Sequence, residues 1–331
     1  MDDPLIYVRA VHYAATIAVA GVVFFVVFIA EPAFAKAGDQ ARLPAAVRPP
    51  LAFLAWLGLG LTVVSGAAWL VLVAASMSER PVADVLSEGI LWVVLPQTDF
   101  GRAWLMRAFL ACVLAAIFAV TLTAKHKQPT AMWLKVVAVA TAAGLMGMLV
   151  WAGHAAGGAG AEAIVHPAAD FLHLIAAAAW LGALIPLALL LRAAGRDAAS
   201  VAIARTATLR FSAFGLASVA TLMATGFVNA FYLVGSLAAL FDTGYGRLLM
   251  AKVALFFVMV AVAAINRFRL TPKLVPDATL APARHVLRRL RRNAVIEIVL
   301  GAVIIVIVAK LGVTPPAFEQ EAMPHMHHHA H

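Results

Sequence analysis

Eight stretches of predominantly apolar residues, each near or beyond the ~20 residues a helix needs to cross a hydrocarbon core, leave this chain one kind of place to fold. They run over 5–30, 50–76, 102–124, 131–152, 167–192, 209–235, 246–266 and 293–312. Inside a bilayer every backbone N–H and C=O must be satisfied without water, so each apolar stretch has to close its own hydrogen bonds as a helix. Across 331 residues 64% are hydrophobic and only 12% charged, against ~25% charged in a soluble domain, which excludes a water-soluble globule. The expected fold class is all-α: a polytopic integral membrane protein whose eight transmembrane helices fill 1–312, with a flexible tail over 313–331.

The basic residues fix which loops face inward. Lys36, Arg42 and Arg48 fall between spans one and two, Lys125, Lys127 and Lys135 around the turn from three to four, and Arg192, Arg196, Arg205 and Arg210 around the turn from five to six. Arg267, Arg269, Lys273, Arg284, Arg288, Arg289, Arg291 and Arg292 lie between seven and eight. These alternate loops hold most of the 25 Lys and Arg, so the positive-inside rule makes them cytoplasmic and, with an even number of spans, puts both termini outside. The net charge of +9 therefore reads as topology; the cluster Arg288, Arg289, Arg291 and Arg292 reads first as the stop signal for span eight, with contact to anionic membrane lipids as the alternative, and no nucleic-acid partner is expected. Ala33-Phe34-Ala35 has the spelling of a signal-peptidase site, but the apolar segment before it is long and opens with Asp2 and Asp3, so it reads as a span.

Several chemistries drop out. The single cysteine, Cys112, allows neither a disulfide nor a CxxC pair. No GxxxxGK[ST] or HExxH occurs, so neither a phosphate loop nor a membrane zinc protease is expected, and the chain is expected not to be an enzyme. No internal repeat stands out.

What remains is a set of ionisable groups inside apolar spans, which mark function by default because their burial there is costly. His12 lies about two turns into span one, His154 closes span four, and His166 and His173 open span five, all toward the outer face. Pro167 at a first helical position makes His166 the entry residue of span five. At 100° per residue His166, Asp170 and His173 then share one stripe, with Trp180 seven residues on. Imidazole binds copper, zinc, iron and nickel, and a carboxylate beside a liganding histidine fixes its tautomer. A membrane histidine also serves simply to hydrogen-bond a neighbouring helix. His126 and His285 fall in basic loops and read as surface residues.

The tail packs Met323, His325, Met326, His327, His328, His329 and His331 into nine residues. Thioethers select Cu(I) and imidazoles accept both Cu(I) and Cu(II), so the mixture points to copper ahead of zinc or nickel. From Val313 the tail reaches ~60 Å when extended, enough to fold over the outer mouth of the bundle. Met106, Met146, Met148 and Met250 add thioethers in the same leaflet, where packing is their ordinary use.

The residues that carry a family likeness are Arg9-Ala10-Val11-His12 with Gly21, Gly153-His154-Ala155, and Asp170-Phe171-Leu172-His173 followed by Trp180-Leu181-Gly182. Phe211-Ser212, Thr225-Gly226, and Thr243-Gly244-Tyr245-Gly246-Arg247 leading through Lys252 to Asn266-Arg267 continue it. Over most of the bundle the chain resembles the CopD family of bacterial inner-membrane copper proteins. The resemblance implies an eight-helix inner-membrane protein handling periplasmic copper, often with a small periplasmic CopC-type copper-binding partner. It makes His12, His154 and His173 copper-associated, and Trp180, Gly182, Tyr245, Gly246 and Asn266 structural or pathway positions. Asn229, Tyr245 and Lys252 are expected to continue a polar route inward.

The leading expectation is copper uptake toward the cytoplasm, with the tail as collector. A b-type haem redox protein stands as an alternative, because histidines on two helices can be axial ligands. A membrane dock for a periplasmic copper chaperone stands as another.

Overall fold

The computed structural model describes residues 3–36, 43–122, 131–152, 162–275 and 280–320. The expectations for His126, His154 and Met323 to His331 lie outside those residues. Among the described residues there is no strand, and eight helices are long and apolar enough to cross a membrane. They are Pro4–Ala35, Leu43–Ser78, Asp99–Thr121, Met132–Trp151, Ala163–Ala193, Ala198–Val234, Gly244–Lys273 and Leu280–Leu311, called spans one to eight below.

Several helices outrun their apolar stretch. Span six starts at Ala198 rather than 209 because Asp197 caps it, its carboxylate accepting the Ser200 N–H at 2.7 Å. Span eight starts at Leu280 rather than 293, where the arginine-rich segment coils amphipathically with Val286, Leu287 and Leu290 buried and Arg288, Arg289, Arg291 and Arg292 exposed. The helix carrying span five begins at Glu162, so His166 sits one turn inside it and is not an entry residue. Pro167 is tolerated there because it forfeits a single hydrogen bond, to the carbonyl of residue 163 in the opening turn.

Spans one and five form the centre. Each packs on the next span of its own half, two and six respectively, and on the fourth span of both halves. The tightest point is Gly21 against Gly182: a Cβ on either would strike the backbone of the other, so only glycine permits this crossing. Lipid supplies no hydrophobic drive between helices, and close backbone approach through small residues is what holds such pairs together. Around the crossing lie two buried clusters, one with Val19, Trp69, Leu114 and Met146, the other with Phe25, Trp180, Leu184 and Phe211.

The absence of an internal repeat expected from the sequence is corrected by the architecture. Spans one to four and five to eight repeat the same order, two long helices, a short helical segment, then two more long helices; the segment holds Val82–Ser87 and Leu91–Gln97 in the first half and Ala239–Asp242 in the second. The turns after Leu91–Gln97 and Ala239–Asp242 are built alike. The Thr98 hydroxyl donates to the Val94 carbonyl (2.8 Å) and accepts the Gly101 N–H (2.9 Å); the Thr243 hydroxyl donates to Ala239 (2.6 Å) and accepts from Gly246 (2.9 Å). Gly101 and Gly246 each lie too close to the preceding short helix to carry a side chain. Thr98-Asp99-Phe100-Gly101-Arg102 and Thr243-Gly244-Tyr245-Gly246-Arg247 are a local trace of this likeness in the sequence.

Candidate metal site

One end of the bundle gathers the starts of spans one, three, five and seven and the ends of two, four, six and eight, and there the duplication carries two histidine pockets. His12 Nδ1 lies 2.9 Å from the Ser65 hydroxyl, and His173 Nδ1 lies 2.9 Å from the Thr225 hydroxyl. Gly66 and Gly226, each one residue on, leave room for the respective imidazole edge. Both hydroxyls spend their proton on their own helix: Ser65 donates to the Leu61 carbonyl at 2.5 Å, Thr225 to Thr221 at 2.6 Å. Each hydroxyl must therefore accept from the histidine, so Nδ1 is the protonated nitrogen and Nε2 keeps its lone pair. An outer partner that fixes the tautomer this way prepares a ligand. His12 Nε2 is buried and has no hydrogen-bond partner.

The surroundings of the two pockets differ: each histidine has a basic side chain within electrostatic reach, Arg107 for His12 and Lys252 for His173, and only the second pocket adds a carboxylate, Asp170. In the second half, His166, Asp170 and His173 turn their common face to span six and meet it as a ladder. His166 stacks on Tyr232 with ring centroids 5.2 Å apart, Asn229 Nδ2 donates to Asp170 Oδ1 at 3.1 Å, and Thr225 closes the row. Lys252 of span seven lies within electrostatic reach of Asp170 and His173, and Tyr245 within reach of Asp170. In the first half, Arg9 occupies the place of Asp170, three residues before the histidine, and its guanidinium lies 5.0 Å from the Trp69 ring centroid. Arg107, seven residues after Phe100 as Lys252 is seven after Tyr245, lies 5.7 Å from the same ring. Arg107 is buried, and its Nε and Nη2 have no hydrogen-bond partner.

The remaining expected positions separate. Trp180 is buried deeper, edge-on to Phe256 and beside Gly215, and Asn266 lies at the opposite end of the bundle. Met146 is packed in the core, and Met106 is exposed on the bundle's outer surface. No group of three His, Cys, Asp or Glu with metal-binding geometry occurs among the described residues. A metal at His173 and Asp170 would need further ligands. Sequence reasoning passed over Ser65 and Arg107 and named Thr225 only within the family likeness; the signal for the two hydroxyls was the nearly equal interval from each histidine, 53 and 52 residues.

The family described as "Copper resistance protein D-like, N-terminal domain" matches residues 1–164, and "Copper resistance protein D" matches 205–311. The chain is 32% identical to "Copper resistance protein D" of Pseudomonas syringae pv. tomato, over 96% of this chain and 99% of that protein. It is 33% identical to "Inner membrane protein YebZ" of Escherichia coli, over 70% of this chain and 74% of that one. To "Copper transport protein CutJ" of Bacillus subtilis it is 31% identical, over 56% of this chain and 33% of that protein. No solved structure matches it. With eight spans and near-complete coverage of a relative, this multi-pass inner-membrane protein belongs to the copper resistance protein D family.

Proposed function

We propose that the chain carries copper across the inner membrane from the periplasm toward the cytoplasm, and that the second-half pocket is where the ion enters the bundle. The observation that carries this reading is the ladder of His166, Asp170 and His173 on span six. It offers an imidazole Nε2 lone pair on the same helix face as a carboxylate, and that carboxylate offsets the charge of Lys252. His12 has the same tautomer lock but stands beside Arg9 and Arg107, so a bare copper ion prefers His173. His154 and the Met/His tail supply the missing ligands, the tail acting as collector and a CopC-type protein as donor. Both termini are periplasmic in this reading, because the end opposite the histidines carries the basic loops.

The test uses the chain lacking Met323 to His331, loaded with copper and desalted. Retained copper that disappears in His173→Ala, together with loss of copper uptake by proteoliposomes, is the expected result. Copper retention and uptake unchanged by that substitution would sink the assignment. Iron with a Soret band would move the chain to the haem class, and chaperone binding without copper passage would make it a dock.

A further inference from the structure

At the end away from the histidines, the second half has a partly open cavity of about 320 Å³ between spans five, six, seven and eight. Glu297 of span eight is one of its walls. The residue is 1% exposed, and only one of its carboxylate oxygens is bonded: Asn266 Nδ2 donates to Oε1 at 2.9 Å, while Oε2 is buried with no partner. Asn266 is held in place from two sides. Asn293 Nδ2 donates to its Oδ1 at 2.7 Å, and the Thr271 hydroxyl donates to its carbonyl at 2.8 Å. Asn266 also opens a π-helical turn, Asn266–Leu270, a local widening that recurs at functional sites.

A carboxylate sealed in a membrane protein without a countercharge is costly unless something positive joins it. No ion pair to Glu297 occurs among the described residues. The one basic group among the lining residues, Arg267, is turned to Ser212, to which its Nη1 donates at 2.7 Å. The other polar groups there, Thr208, Ser212, Asn266 and Thr271, are uncharged, and the span-five side is apolar, with Trp180, Leu184, Leu187 and Leu191. The first half makes the contrast. Its cavity at the same end also holds an acid, Glu31, but there Lys135 is ion-paired to it. Glu31 on span one thus has a lysine partner, and Glu297 on span eight has no ion pair among the described residues.

We propose that Glu297, supported by Asn266 and Asn293, is a binding site for a hard monovalent cation, a proton or a sodium ion, distinct from the copper site. The donors are carboxylate, amide and hydroxyl oxygens, with no thioether, thiolate or imidazole on the wall, and such a set discriminates against Cu(I). At ~30 Å³ per water the cavity holds a partly hydrated ion. Binding at Glu297 stands independently of the transport reading. Its use as the ion exchanged for copper rests on that reading.

The experiment is infrared difference spectroscopy on the full chain in lipid nanodiscs without copper, titrated from about pH 5 to 10, first in choline chloride and then in sodium chloride. The expected result is a protonated-carboxyl C=O band that is absent in Glu297→Gln and shifted in Glu297→Asp. Asn266→Ala keeps the band and moves its midpoint. Loss of the band with rising pH in both salts identifies a proton site; loss at lower pH in sodium chloride identifies sodium as a competitor. The proposal is overturned if no band depends on residue 297 and sodium has no effect, or if Cu(I) removes the band as readily as sodium. A null proteoliposome transport assay alongside a positive band would remove the copper reading and leave the cation site standing.

Discussion

Gly21 of span one and Gly182 of span five meet backbone to backbone, and each stands nine residues after the histidine of its half. The crossing therefore sets the relative height of the His12 and His173 pockets. Replacing Gly182 by alanine forces the two central helices apart. We expect a loss of ~1–3 kcal/mol, the usual cost of overpacking, read as a lower melting temperature in detergent. Gly60→Ala, where an added Cβ meets nothing within 4 Å, is the neutral control.

Thr225 holds His173 in the tautomer that presents Nε2. Thr225→Val keeps the shape and removes the acceptor. Copper affinity of the tail-less chain is expected to fall by ~10–100-fold, as for other partners that orient a metal-bound histidine. Isothermal titration with Thr225→Ser, which restores the hydroxyl and the affinity, separates this effect from simple damage.

Arg107 is buried with two nitrogens unpartnered beside the Trp69 ring. Exchanging an uncompensated buried charge for a well-packed apolar side chain is often neutral or stabilising by ~1–4 kcal/mol. Arg107→Met is thus expected to leave the melting temperature unchanged or raise it. It also removes one of the two cations near His12, so elemental analysis should find additional copper per chain. A lower melting temperature with no added copper would mean that the guanidinium has a binding role of its own.

The tail binds copper through imidazoles that must be neutral to act as ligands. Protons compete below the reference histidine pKa of ~6.5, so stability of the copper complex is present at higher pH and lost as pH falls. The copper retained by the full chain in excess of the chain lacking Met323 to His331 should therefore decline between about pH 7.5 and 5. An excess that does not change over that range would assign it to the methionines alone.

Much of the fold was legible because membrane crossing is a one-dimensional constraint: a long enough apolar run must be a helix, whatever it packs against. The stripe of His166, Asp170 and His173 was legible for a similar reason, since helical periodicity alone puts them on one face. Where span five begins was not, because its first turn is polar and Pro167, the apparent start signal, is tolerated inside it.

The sequence by itself determined eight helices, the sign of the charge on each loop and the histidines available for copper. Only the tertiary structure decided that the two halves share a helix order and a histidine–hydroxyl pocket, that Arg107 stands by His12 while Lys252 and Asp170 accompany the second pocket, and that no ion pair to Glu297 occurs among the described residues. Helix-forming signals lie within one segment. The contacts that define each pocket join residues about fifty positions apart on different helices, where repeat, charge environment and vacancy exist only once the helices have packed.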